Sequence, residues 1–333
     1  MEINFQHRQS AHCESGVTSN LFSHHGVNIS EAMAFGIGSG LFFGYVPFIR
    51  LNHLPLTTYR SATGGIIKRS TRRLGMDLKR HKFRNPVKAM DALDQMLAQG
   101  IPVGCQTGGY WLPYFPEAYR FHFNMHNLIV YGKNGDEYLV SDPIFSEPVS
   151  ISRLDLMKAR FAKGALAPKG KMYYLTKVPD IIDFSAAIKK GITEVCRTML
   201  KSPLPIIGVR GIRFLARQIE SWPDRLGSQK AVLYLGQVIR MQEEIGTGGG
   251  GFRFIYAAFL QEAADILDNP HLLGISERLT QTGDRWRDFA VMGARNCKGR
   301  ASEDESYSAM ADIVRDCADL EKSVYRDLYE LVH

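Results

Sequence analysis

Three side chains, the thiol of Cys13, the imidazole of His126 and the carboxylate of Asp142, come along the chain in the order nucleophile, base, orienter. In that chemistry the imidazole takes the thiol proton, the thiolate attacks a carbonyl carbon to form an acyl-enzyme, and the carboxylate holds the imidazole in one orientation. Cys13 stands in Ala11-His-Cys-Glu-Ser-Gly16, at the start of a helix expected over 13–22. A helix N-terminus favours the thiolate, because its dipole and free backbone N–H groups stabilise negative charge. A single cysteine at a helix start is also commonly a small buried residue, so the weight rests on the three groups together.

The imidazole and the carboxylate need a scaffold that brings distant residues side by side, and a hairpin does so. Asn127-Leu-Ile-Val-Tyr131 and Glu137-Tyr-Leu-Val-Ser141 are two apolar runs separated by a stretch containing Asn-Gly, a strong hairpin signal. His126 heads the first arm, and Asp142 follows the second, just before Pro143. Asp142 then orients one ring nitrogen and leaves the other for Cys13. The order Cys, His, Asp agrees with a papain-like arrangement. Further short helices are expected at 30–34 and at 86–99, the latter opened by Asn85-Pro86 and closed by Gly100, with strands at 101–105 and 171–176. After Pro179 the period changes. Phe252, Ile255, Tyr256, Phe259, Leu260 and Ala263 follow one helix face, and similar patterns run through 183–200, 226–245, 271–291 and 303–331. The expectation is an α+β domain over residues 1–178 that carries the chemistry, and a mostly helical domain over 179–333.

A length of 333 residues with 45% hydrophobic and 23% charged residues is ordinary globular composition and excludes a disordered or fibrous chain. The net charge of +7 is uneven: residues 60–88 hold ten basic residues and one acidic residue, Asp77. That stretch, with Arg69, Arg72 and Arg73, reads either as a solvated face or as a landing surface for an acidic partner. Few aromatics accompany it and no nucleic-acid motif is present, so nucleic acid is not expected. The five cysteines, at 13, 105, 196, 297 and 317, form no CxxC pair, and the histidines lack metal-ligand spacing, so no metal is expected. The N-terminal residues carry no secretory pattern, and the apolar run 32–49 is broken by glycines and a proline. A cytoplasmic protein without a transmembrane segment is the expectation.

Two other features bear on ligands. Gly246-Thr-Gly-Gly-Gly-Gly251 precedes a helix, so Gly248, Gly249 and Gly250 with Arg253 could cradle a phosphate, as of a phosphopantetheine. The same run also reads as a flexible connection between helices. The aromatic run Tyr110-Trp-Leu-Pro-Tyr-Phe115 lies shortly before His126 and reads as core, loop anchor or pocket lining.

The stretch from His12 to Phe43, with its His-Cys-Glu-Ser, the Ser-Glu at 30–31 and Phe-Gly-Ile-Gly-Ser-Gly at 35–40, resembles the N-terminal region of the butirosin biosynthesis protein H family. The second half, through Gly246–Ala264 and Trp286, resembles the helical domain that accompanies it. The resemblance implies a papain-like cysteine-peptidase fold turned to acyl transfer from an acyl carrier protein thioester (or coenzyme A) to an amine or hydroxyl acceptor. Carried over by motif, Cys13 is the nucleophile, His126 the base and Asp142 the orienter. A cysteine hydrolase with the same triad, acting as peptidase, amidase or thioesterase, is the alternative. No tightly bound cofactor is implied; the phosphopantetheine-linked acyl donor is a substrate. The His-Asp hairpin also resembles that of bacteriocin-processing cysteine peptidases, which place a Gln six residues before the nucleophile as an oxyanion donor. Here that position is His7, with Gln6 and Gln9 beside it, so the candidates for the oxyanion hole are Gln6, Gln9 and the backbone N–H of Cys13.

Overall fold

The computed structural model describes residues 2–51 and 53–332. In chain order the elements begin with α1 (Cys13–His24), α2 (Glu31–Ile37), β1 (Leu41–Leu51), β2 (Leu54–Arg60), α3 (Gly65–Arg73) and β3 (Asp77–His81). They continue with α4 (Pro86–Ala98), β4 (Val103–Thr107), β5 (His126–Asn134), β6 (Glu137–Ser141), β7 (Val149–Ser152), α5 (Arg153–Arg160) and β8 (Met172–Lys177). Six long helices close the chain: α6 (Phe184–Lys201), α7 (Gly208–Leu226), α8 (Ser228–Glu243), α9 (Arg253–Ile266), α10 (His271–Cys297) and α11 (Tyr307–Leu331). Among the described residues no helix is long and apolar enough to cross a membrane.

The chain divides into two compact units. The first holds the residues up to Ala34 together with Ile66–Ile182, and the second holds Phe35–Gly65 together with Asp183–His333. A single cut at 178 therefore misses an excursion. Residues 35–65 form the antiparallel pair β1 and β2, which belongs with the helices of the second unit. The reason is apolar burial. Phe43 and Tyr59 pack their rings on Trp286, and Tyr45 packs on Phe214 and Trp222.

In the first unit six strands form an antiparallel sheet in the order β3-β8-β4-β5-β6-β7. Period-two alternation gives it two apolar faces. Leu128 and Val130 of β5 join Cys105, Met90, Leu93 and Leu156 on the face that meets α4 and α5. Ile129 and Tyr131 join Tyr173, Val17, Leu21 and Ile67 on the face that meets α1 and α3. The fold is α+β and papain-like in plan, with a cysteine-bearing helix lying on an antiparallel sheet that carries the histidine. The expected hairpin is β5–β6, with Asn134 opposite Glu137 and Ile129 opposite Ser141. Asn85 caps α4 by accepting the Lys88 N–H. Strand β3, Asp-Leu-Lys-Arg-His, escapes a pattern reading because it is an edge strand with charged, exposed residues, as edge strands often have.

Candidate active site

The first turn of α1 is held by side chains from outside the helix. His12 is the N-cap, and its Nδ1 accepts the Ser15 N–H. Glu31 accepts the backbone N–H groups of Ala11 and His12, at 2.9 and 2.7 Å, and the Ser15 hydroxyl at 3.0 Å. Burial pushes the Glu31 carboxyl above its ordinary value, against the pull of those donors. Glu14 reaches the other way and accepts the Ile66 N–H at the start of α3. Gly16 is required here. A Cβ at that position would come within 2.6–2.7 Å of Ser10 and Pro143. The close approach, with the Ser10 N–H donating to the Pro143 carbonyl at 2.6 Å, brings the segment after Asp142 against the cysteine helix.

Strand β5 begins at His126, and Asp142 directly follows β6. His126 Nε2 and Asp142 Oδ2 are 2.7 Å apart, with both side chains buried. Asp142 has two further donors: the Tyr114 hydroxyl reaches the same Oδ2 at 2.9 Å, and the Ile144 N–H reaches Oδ1 at 3.3 Å. Phe115 sets its ring edge-on to the imidazole, with centroids 5.1 Å apart. Burial acts to lower the His126 pKa, but the Asp142 charge and hydrogen bond outweigh it, and the Cys13 sulfur adds to them; the result is pushed up to about 10. With Nε2 on Asp142, Nδ1 is the ring nitrogen available to the thiol. The same carboxylate, together with burial, pushes the Tyr114 phenol well above 10.

Cys13 is 7% exposed. Its Sγ lies 3.9 Å from the Met125 carbonyl and 4.0 Å from Asn127 Nδ2. The Asn127 amide is oriented, since its Oδ1 accepts from the Tyr173 hydroxyl at 2.9 Å and its Nδ2 donates to Met125 O at 3.1 Å. The sulfur thus faces an imidazole paired to a carboxylate and an amide N–H fixed by a phenol. Tyr114, Asn127 and Tyr173 were not singled out by spacing. Their signal is adjacency alone: Asn127 follows His126, and Tyr114 lies in the aromatic run before it.

The other candidates fall elsewhere. Gln6 and Gln9 are both exposed, and Gln6 Oε1 accepts from Arg8. An oxyanion donor has to be held in a water-excluded site, which neither residue provides. His7 is tied down instead: its Nε2 donates to the Phe145 carbonyl at 3.0 Å, and its Nδ1 lies 2.7 Å from Ser141 Oγ. Arg72 is exposed on α3, and Arg69 and Arg73 are half-buried there.

In the second unit, Arg253 is fully buried. Its Nε and Nη2 donate to the two carboxylate oxygens of Glu321, each at 3.0 Å, and its Nη1 donates to the Gly251 carbonyl. Such a guanidinium is unavailable to a phosphate. Two of the loop N–H groups are also occupied, Gly249 on Thr247 Oγ1 and Gly250 on Glu243 Oε1. The glycines have a conformational reason: Gly246, Gly248, Gly249, Gly250 and Gly251 all have positive φ, from 55° to 86°. The phosphate reading of Gly248, Gly249, Gly250 and Arg253 is therefore replaced by a tightly built turn.

The class that this fold and site define is a papain-like cysteine enzyme. Residues 12–143 match the family described as Butirosin biosynthesis protein H, N-terminal, and residues 154–328 match the one described as Domain of unknown function (DUF4872). The second match spans more than half of the chain, so the chain belongs to the DUF4872 family, and a segment matching the butirosin biosynthesis protein H N-terminal domain precedes it. A solved structure described as a C39-like peptidase from Bacillus anthracis aligns over 54% of this chain and 100% of its own, at 14% identity and a TM-score of 0.38. A likeness at that score carries no weight for mechanism. No curated protein matches the chain.

Proposed function

We propose that the protein is an acyltransferase that takes an acyl group from a carrier-protein or coenzyme A thioester, through Cys13, to an amine or hydroxyl acceptor. The observation that supports it most is the buried His126–Asp142 pair beside the Cys13 sulfur at a helix start. In this reading the Cys13 thiolate attacks the thioester carbon, and a carbon–sulfur bond forms as the carbonyl becomes an oxyanion. The first turn of α1 supplies the Cys13 backbone N–H to that oxyanion. Collapse breaks the original thioester bond, and the pantetheine thiolate leaves with a proton from His126. The acceptor then attacks the acyl-enzyme, neutral His126 takes its proton, and Cys13 leaves as thiolate. Asp142 holds Nε2 throughout, and Tyr114 holds Asp142. A carrier partner is what the resemblance to the butirosin biosynthesis protein H family implies, and the exposed basic residues of the first unit are compatible with an acidic one. Five free thiols fit a reducing compartment such as the cytoplasm.

Intact mass spectrometry with a panel of acyl thioesters tests the proposal. The expected result is a single acyl adduct on Cys13, absent in Cys13→Ala, that is discharged faster by added amines or alcohols than by water. Rapid discharge by water alone would make the protein a hydrolase with the same triad. An adduct that persists in Cys13→Ala would refute the site.

A further inference from the structure

The sheet face that carries Cys13 also carries a row of cations. His81 pairs with Met172, so Lys82 comes next in register beside Lys171. The Gln106 N–H donates to the Lys171 carbonyl, and Gln106 pairs with Asn127. The row therefore runs Lys82, Lys171, Gln106, Asn127, and the Asn127 amide ends 4.0 Å from Cys13 Sγ. Arg80, paired with Tyr173, lies on the same face one step along, and Lys169 enters beside Phe83. At about 4.8 Å per strand step, Lys171 is roughly 10 Å from the Asn127 end of the row.

Edge protection accounts for charge on β3, but not for Lys171, which belongs next to the inner strand β8. Lys171 is half-buried, and its Nζ donates to Gln106 Oε1 at 3.1 Å. Gln106 is held in turn by donating Nε2 to the Asn124 carbonyl at 2.8 Å. Burial lowers the Lys171 pKa, and the like charges of Lys82, Arg80 and Lys169 lower it further. Among the described residues none of these four cations forms an ion pair with a carboxylate. Four converging positive charges with one ammonium partly desolvated are unfavourable until an anion arrives.

We propose that Lys171, with Arg80, Lys82 and Lys169, binds an anionic group, a carboxylate or a phosphate, of the substrate whose carbonyl reacts at Cys13. The inference rests on Cys13 being the nucleophile, and the test keeps the two apart.

The probes are two disulfides, the dianionic 5,5′-dithiobis(2-nitrobenzoate) and the neutral 2,2′-dipyridyl disulfide. The Cys13 thiolate attacks one sulfur, the S–S bond breaks, and an aromatic thiolate leaves. Rates are read by mass spectrometry of the Cys13 peptide, in the wild type and in the Arg80→Gln/Lys82→Gln/Lys171→Gln variant, with circular dichroism confirming the fold. The expected result is a loss of about tenfold in the anionic reagent's rate, the low end of what a focused field adds to encounter. The neutral reagent's rate should be unchanged. Protection of wild-type Cys13 by pyrophosphate would point to a phosphate group, and protection by succinate to a carboxylate. Equal effects on both reagents, or no protection by either anion, would overturn the proposal. A Cys13 inert to both reagents would instead sink the nucleophile reading.

Discussion

Replacing Asp142 by Asn removes a charge from the site but leaves an oxygen that can still accept from His126 Nε2 and from Tyr114. The size of the effect can be worked out. Opposite unit charges whose centres lie about 4 Å apart at an effective dielectric constant near 20 attract by about 4 kcal/mol. At 1.36 kcal/mol per pH unit that is about three units, which accords with a His126 pushed up to about 10 from an ordinary value of 6.5. In Asp142→Asn, burial acts without that charge and only the Cys13 sulfur still opposes it, so His126 should titrate well below its wild-type value. The assay is an NMR titration of ring-labelled histidine, with His126 assigned by its loss in His126→Gln. A second reading comes from stability. A histidine whose folded pKa lies above its unfolded pKa stabilises the fold fully below the unfolded value, and that stability is lost as pH rises through the folded value. The wild type should therefore lose stability between about pH 6.5 and 10 through this group, and Asp142→Asn should not. Alkylation of Cys13 by iodoacetamide at pH 6 should fall more in Asp142→Ala than in Asp142→Asn, because Ala loses the orientation as well as the charge. A His126 that titrates at the same pH in wild type and Asp142→Asn would show that the carboxylate does not set the imidazole's charge.

Tyr114→Phe removes a hydrogen bond to a charged acceptor, worth about 1.5–3 kcal/mol. The carboxylate leans on that donor most when His126 is neutral, so the variant should hold the imidazolium proton to higher pH, by up to about one unit, with a matching rise in the alkaline limb of the turnover profile. Glu321→Gln leaves the buried Arg253 charge uncompensated and should destabilise the second unit by about 3–5 kcal/mol. Urea unfolding followed by tryptophan emission reads this, because Trp222 and Trp286 both lie in that unit; Arg253→Met/Glu321→Leu should recover much of the loss.

What could be read along the chain is what depends on neighbours in sequence. The β5–β6 hairpin carries its own turn signal, so it delivers His126 to Asp142 from a short stretch of chain. The start of α1 is marked by the polar residues around Cys13. What could not be read depends on contacts between distant segments. Asn127 looks like an ordinary strand residue until Tyr173, from a strand 46 residues later, fixes its amide. His7 stands where a glutamine was expected, and only its bonds to Ser141 and Phe145 show that it is a tether. Arg253 and the glycine run looked like an anion cradle because a buried carboxylate partner 68 residues downstream leaves no local mark. The pair β1–β2 was missed for a similar reason. Its apolar run carries no local mark of its partners, which are helices that begin more than a hundred residues later.

The donors at the first turn of α1 are divided in a way that bears on catalysis. An isolated helix start presents four backbone N–H groups without intrahelical partners. Here the Gly16 N–H reaches back to the His12 carbonyl, and the Ser15 N–H goes to the His12 side chain. The N–H groups just before the helix, on Ala11 and His12, go to Glu31. Glu31 thus fixes the entry to the helix without taking the Cys13 N–H. A carboxylate at the helix entry opposes the thiolate, whereas the imidazolium favours it; burial raises the Glu31 pKa against the pull of its donors. The arrangement anchors the backbone beside Cys13 and leaves the Cys13 N–H without a bond to Glu31. For the proposed oxyanion site this leaves a backbone donor on a fixed helix start, beside a charged imidazole.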